Sequence, residues 1–120
     1  MSEGLQDLKL RTKAFSLRII RLYSRLARSN TVAQVLGKQG LRSVTSVGAN
    51  YREASRRRSR AEFASKIGDC LKEIVETEYW LELLTDSGCV PATKMSALLD
   101  ETRQLTAIFT VICKKAHEQN

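Results

Sequence analysis

Residues 63–84 read FASKIGDCLKEIVETEYWLELL. Phe63, Ile67, Cys70, Ile74, Thr77, Leu81 and Leu84 follow one another at steps of four and three without a miss. Side chains at that spacing share one helix face, and seven such positions in unbroken a/d register are a signature of bundle packing. Just upstream, Ser59 and Glu62 have capping-box spacing, which predicts a helix start there and an end near Asp86. Gly88 follows as a C-terminal cap, and Pro91 suits the first turn of another helix.

On the C-terminal side, Met95, Leu98, Thr102, Leu105, Phe109, Ile112 and Ala116 step by three and four, which predicts a fourth helix. On the N-terminal side, Leu8, Phe15, Ile19, Leu22 and Leu26 mark a helix from about Leu5 to Arg28, with Ile20 and Tyr23 widening its apolar face. Ser29-Asn30 would end it and cap a second helix, about Thr31 to Ser55. That second helix holds Gly37, Gly40 and Gly48, with Ser43, Ser46 and Ala49 close by in sequence. Each interior glycine costs about 1 kcal/mol against alanine, so the expectation is either close approach of a neighbouring helix or a break near Gly37–Gly40. No strand pattern or hairpin dipeptide is visible. The fold class expected is all-α: one domain spanning residues 1–120, an antiparallel up-down-up-down four-helix bundle.

Composition bounds the function. The chain has 120 residues, 42% apolar and 28% charged, with one proline and six glycines, a globular composition of one-domain size. No apolar run approaches the roughly 18 residues that span a bilayer. The start, MSEGLQDLKL, is not a secretory signal, so the cytosol is the expected compartment, with no membrane partner. Three cysteines without a C-x-x-C pair argue against a disulfide framework or zinc site, and Cys70 and Cys113 fall on apolar stripes. The lone histidine, His117, lacks the Glu-x-x-His partner of a di-iron bundle, and no phosphate loop or nucleophile–histidine pairing appears. No cofactor, metal or catalytic residue is expected. Paired Glu78 and Glu82 read as solvated or arginine-bonded.

The net charge of +7 is unevenly spread: residues 9–60 carry fourteen Lys/Arg and one acid, Glu53, whereas residues 61–120 carry six Lys/Arg and ten acids. Arg11, Arg18, Arg21, Arg25 and Arg28 form a band beside the apolar face of helix one. Arg42 and Arg52 on helix two, and Arg56, Arg57, Arg58 and Arg60 in the next link, add to the same half. Three readings compete: a solvated face; pairing with Glu73, Glu76, Glu78, Glu82 and Asp86 of helix three; and phosphate binding, for which the planar guanidinium is suited. Nucleic acid, RNA or DNA, is the partner expected if the third holds, without base-specific readout. Whether the two arginine clusters merge depends on helix lengths. Trp80 falls off the main stripe of helix three, beside Tyr79, as a second core face or an oligomer contact.

The run Leu41-Arg42-Ser43-Val44-Thr45-Ser46-Val47-Gly48-Ala49-Asn50-Tyr51-Arg52-Glu53-Ala54, then Ser59-Arg60-Ala61-Glu62-Phe63 and Glu76 through Leu84, resembles the four-helix-bundle proteins encoded in intervening sequences of bacterial large-subunit ribosomal RNA genes. The resemblance covers about residues 10–115. It implies a closed homopentamer of antiparallel bundles. It also implies kinship with the accessory variability determinant of diversity-generating retroelements, a basic pentamer that works with a reverse transcriptase and its RNA template. By position, Arg42, Asn50 and Phe63 match family residues, and the resemblance would place Asn50 near the bundle centre. The sequence departs from the pattern where Ala54-Ser55 and three arginines stand in place of a glycine, and where Ser29-Asn30 replaces a proline-containing link.

Overall fold

The structure, a computed structural model, describes residues 2–118, with side chains from residue 8 onward. Four helices follow in order: α1 Ser2–Arg25, α2 Thr31–Ser55, α3 Arg60–Asp86 and α4 Ala92–Glu118. Short links make each antiparallel to the last, in a rod of 48 × 21 × 21 Å. No strand occurs among the described residues. Among the described residues, no helix is long and apolar enough to cross a membrane.

The stripe on α3 is the centre of the core. Ile67, Cys70, Ile74, Thr77, Leu81 and Leu84 are all buried. Phe63 departs from the expected pattern: it is half-buried under the Arg57 guanidinium, 5.1 Å from the ring centre, and Ala64 is buried beside it. On α4 the expected residues are buried, Ile112 partly so. Tyr51 of α2 and Phe109 of α4 meet edge to face at 5.8 Å across the interior.

Local chemistry sets the boundaries. Ser59 Oγ accepts from Glu62 N–H, and the Glu62 carboxylate reaches back to Arg58 N–H, one residue further than in the standard capping box. Gly88 adopts φ +81°, which a side chain would resist, and Val90 N–H donates back to Leu84 C=O. Pro91 stands immediately before α4, where its carbonyl accepts from Lys94 N–H.

Three expectations need correction, and the choice between a close approach and a break in helix two is decided for the close approach. Helix α1 ends at Arg25, not Arg28: Leu26 N–H bonds Tyr23 C=O in a tighter turn, and the Leu26 side chain folds into the core. Arg28 therefore belongs to the link. Helix α2 is unbroken, because Tyr23 and Leu26 of α1 pack directly onto Gly37. Asn50 is half-buried rather than central, while its neighbour Tyr51 is fully enclosed. Ile20, expected to widen the apolar face, is 39% exposed.

Candidate nucleic-acid interface

The two arginine clusters lie at opposite ends of the rod. Helix α1 delivers Arg18, Arg21, Arg25 and then Arg28 to the end where links one and three meet, marked by Asn30 Nδ2 against Cys89 Sγ. The 25 residues of α2 carry the chain back about 37 Å at 1.5 Å per residue. Arg52, Arg56, Arg57, Arg58 and Arg60 stand at that far end.

The arginines divide by whether an acid faces them. Arg42 is held by Glu73 and Glu76 of α3, and the Trp80 indole N–H donates to the same Glu76 oxygen at 3.1 Å. For Arg42, pairing with helix three is what the structure shows. Glu78 and Glu82 are arginine-bonded, as one reading of the pair had it, but to Arg103 of α4 rather than to the basic half. Arg11 is bidentate to Glu101 of α4, at 2.7 and 3.2 Å. Among the described residues, the side chains of Arg18, Arg21, Arg25, Arg28, Arg52, Arg56, Arg58 and Arg60 make no ion pair or hydrogen bond. The Arg57 guanidinium stacks on Phe63 and its charge also acts on the Tyr51 hydroxyl.

Three of these arginines line a groove of about 500 Å³ at the seam of α1 and α4. Its walls are Arg18, Arg21, Arg25 and Lys94. Leu22, Leu26, Val90, Pro91 and Leu98 supply apolar surface, Cys89 also lines it, and no acid does. The two helices touch only sparingly along this seam. Around the corner, Arg28 and Lys38 share an open hollow with Tyr23 and Gln34, whose side chains bond each other at 3.0 Å. At the far end, Lys9, Arg52 and Arg56 line a shallower one with Glu53, whose carboxylate is taken by Lys66 at 2.7 Å.

Tyr79 is 54% exposed, with Val75, 51% exposed, one turn before it. Trp80 is half-buried, its Cβ near Gly40 of α2 and its ring edge-to-face with Tyr79 at 5.2 Å. The pair thus splits into an outward tyrosine and a tryptophan that caps the α2–α3 crossing.

Sequence reasoning missed Lys94 and the groove's apolar surface. A signal existed. Arg11 and Arg18 are seven apart on α1, as are Glu101 and Lys94 on α4. In antiparallel neighbours the second pair of positions should meet if the first does. Among the described residues no group of acids, histidines and cysteines is placed to hold a metal ion.

Residues 6–110 match the profile of the family described as 23S rRNA-intervening sequence protein. Among solved structures, the chain is similar to a protein of unknown function from the S23 ribosomal protein family of Bacteroides thetaiotaomicron. They share 36% sequence identity and a TM-score of 0.84, over 92% of this chain and 97% of that one. No curated protein gives a significant match.

Proposed function

Because the chain belongs to the 23S rRNA-intervening sequence protein family, we propose that it is a non-catalytic, cytoplasmic adaptor that binds RNA or DNA through its unpaired arginines. One observation carries this reading. Among the described residues, the bundle supplies acids to Arg11, Arg42 and Arg103, and leaves the arginines at both ends without an acidic partner. Unpaired guanidinium groups at that density repel one another, and a polyphosphate relieves the repulsion. In this reading five copies close into a homopentamer, so that a modest basic surface is repeated and avidity rises without new contacts. A reverse transcriptase acting on the bound RNA is the protein partner that fits such an adaptor.

A second reading, a protein-interaction bundle with no nucleic-acid ligand, is favoured by exposed Val75 and Tyr79 on the outer face of α3. Exposed apolar side chains in sequence along one face suit a subunit contact.

The test measures affinity for labelled RNA and DNA over a salt series, with particle mass by light scattering in the same buffers. The adaptor reading expects a particle of about five chains. If six or more phosphates are contacted, affinity falls about 10³-fold or more between 50 and 200 mM salt. Reversal of Arg21, Arg25 and Arg28 to glutamate should weaken binding. Undiminished affinity in that variant, or no binding at low salt, sinks the reading and moves the search to protein partners.

A further inference from the structure

We propose that the groove between α1 and α4 is a cup for the terminal, phosphorylated nucleotide of a nucleic-acid strand, with the phosphate among Arg18, Arg21, Arg25 and Lys94 and the base on the leucine surface. This rests on the adaptor reading and narrows it to one site and one chemical end.

The charge pattern argues for an anion. Lower on the same seam, Arg11 of α1 meets Glu101 of α4. Seven residues toward the link, about 10 Å, the corresponding positions are Arg18 and Lys94. The seam thus changes from an ion pair to a cluster of like charges, joined by Arg21 and Arg25 and with no acid in the lining. Like charges at close range are unfavourable unless an anion enters between them.

The shape argues for an end of a strand. Arg18 to Arg25 spans seven residues, again about 10 Å, room for one nucleotide unit rather than a tract. Below it the seam is bridged by Arg11, Glu101 and Gln104 through hydrogen bonds of 2.7 to 3.3 Å. A strand seated in the groove meets that bridge at its lower end.

The chemistry argues for a phosphate monoester with a ring attached. A terminal phosphate carries a charge of about −1.5 to −2 near neutral pH, against one per internal phosphodiester. Several convergent cations match the former. Leu22, Leu26 and Leu98 offer a dry surface to a planar base, which stacks equally on guanidinium planes. The volume of about 500 Å³ lies in the range of small-ligand sites, roughly 300–1,000 Å³.

Cys89 lines the groove, Cys70 is enclosed between α2 and α3, and Cys113 lies on α4 toward the other end of the rod. The three thiols are therefore a built-in reporter. The experiment follows N-ethylmaleimide labelling of each by peptide mass spectrometry, with a short RNA carrying a 5′-phosphate, a 3′-phosphate or neither. Mononucleotide and inorganic phosphate are run alongside. One phosphorylated strand should slow Cys89 labelling about tenfold more than the unphosphorylated strand, the scale of one additional charge-assisted hydrogen bond. Any slowing at Cys113 should be the same for all three strands. Lys94→Glu and Arg21→Glu, both at exposed positions, should abolish the difference with helicity unchanged.

Equal slowing by all three strands overturns the proposal. So does a mononucleotide or inorganic phosphate that protects as well as the strand at equal concentration, or a difference that survives Lys94→Glu. RNA that binds with steep salt dependence while Cys89 labels at its free rate sinks the cup and leaves the adaptor. Absence of any RNA binding sinks both.

Discussion

The α2–α3 seam and the α1–α4 seam are built from similar helices and differ in nearly everything else. The first is dense: Ser43 and Thr77 share a buried hydrogen bond of 2.8 Å, Trp80 covers Gly40, and Arg42 is gripped by two glutamates. The second holds one bidentate ion pair, then opens into a cationic groove. The lesson is that arginine has no fixed role in this sequence. Where α3 or α4 sets a carboxylate opposite, the guanidinium joins helices. Where α4 sets Lys94 opposite, it is left available.

The comparison can be broken most directly by truncating one residue on each side. Ile74→Ala, in the closed core, should cost about 2–5 kcal/mol because the neighbours cannot collapse onto the void. Leu22→Ala, half-exposed at the groove, should cost under about 2 kcal/mol. Equal losses in urea unfolding would mean that the open seam is as tightly packed as the dense one.

The glycines sharpen the same point at smaller scale. A Cβ at Gly37 would lie 2.6 Å from Leu26 Cδ1 and 2.7 Å from Tyr23 Cδ1, whereas at Gly40 it would meet only Trp80 Cβ at 3.7 Å. Gly37→Ala should therefore destabilise by about 1–3 kcal/mol through overpacking. Gly40→Ala should be neutral or stabilise by up to about 1 kcal/mol through helix propensity. Thermal midpoints that rank the two variants the other way would refute the assigned approach of α1 to α2.

The smallest effect is read with pH. Burial against α2, and secondarily the nearby Asp69 charge, pushes the Cys70 thiol from 9.0 up to about 12. The folded state holds this proton more tightly than the unfolded chain does. The contribution is intact below pH 9 and is lost as pH rises toward 12, by roughly 1 kcal/mol at pH 10. Cys70→Ala should flatten that alkaline decline, whatever it costs at neutral pH. An unchanged slope in denaturant titrations at pH 8, 9 and 10 would show the thiol is not the responsible group.

The bundle was legible in the sequence because the α3 and α4 registers are long and uninterrupted, and burial follows them at every position but Phe63 and Ile112. Helix ends were less so. The early stop of α1 depends on where Leu26 can bury itself, a tertiary fact that neither Ser29 nor Asn30 reports. The continuity of α2 depends on what fills the space beside Gly37. The arginines could be named as candidates but not sorted, since sorting requires knowing which carboxylate lies opposite at each level. Arg42 illustrates this: it has the composition of a phosphate grip and the surroundings of a structural tie. The separation of the two clusters likewise follows from the length of α2 rather than from the arginines themselves.

The turn between α2 and α3 has its backbone tied at several points: Arg56 N–H to Glu53 C=O, Arg57 N–H to Ala54 C=O, Arg58 N–H to Glu62, and Glu62 N–H to Ser59. Its arginines therefore spring from main-chain positions that are already ordered. Restricting a mobile backbone costs about 1–2 kcal/mol for each residue, and here these hydrogen bonds supply much of that restriction before any anion is met. What remains to be frozen is side-chain rotation, about 0.5–1.5 kcal/mol for each immobilised chain. An anion arriving at this end would meet guanidinium groups carried on ordered backbone, and its capture would be docking rather than folding upon binding.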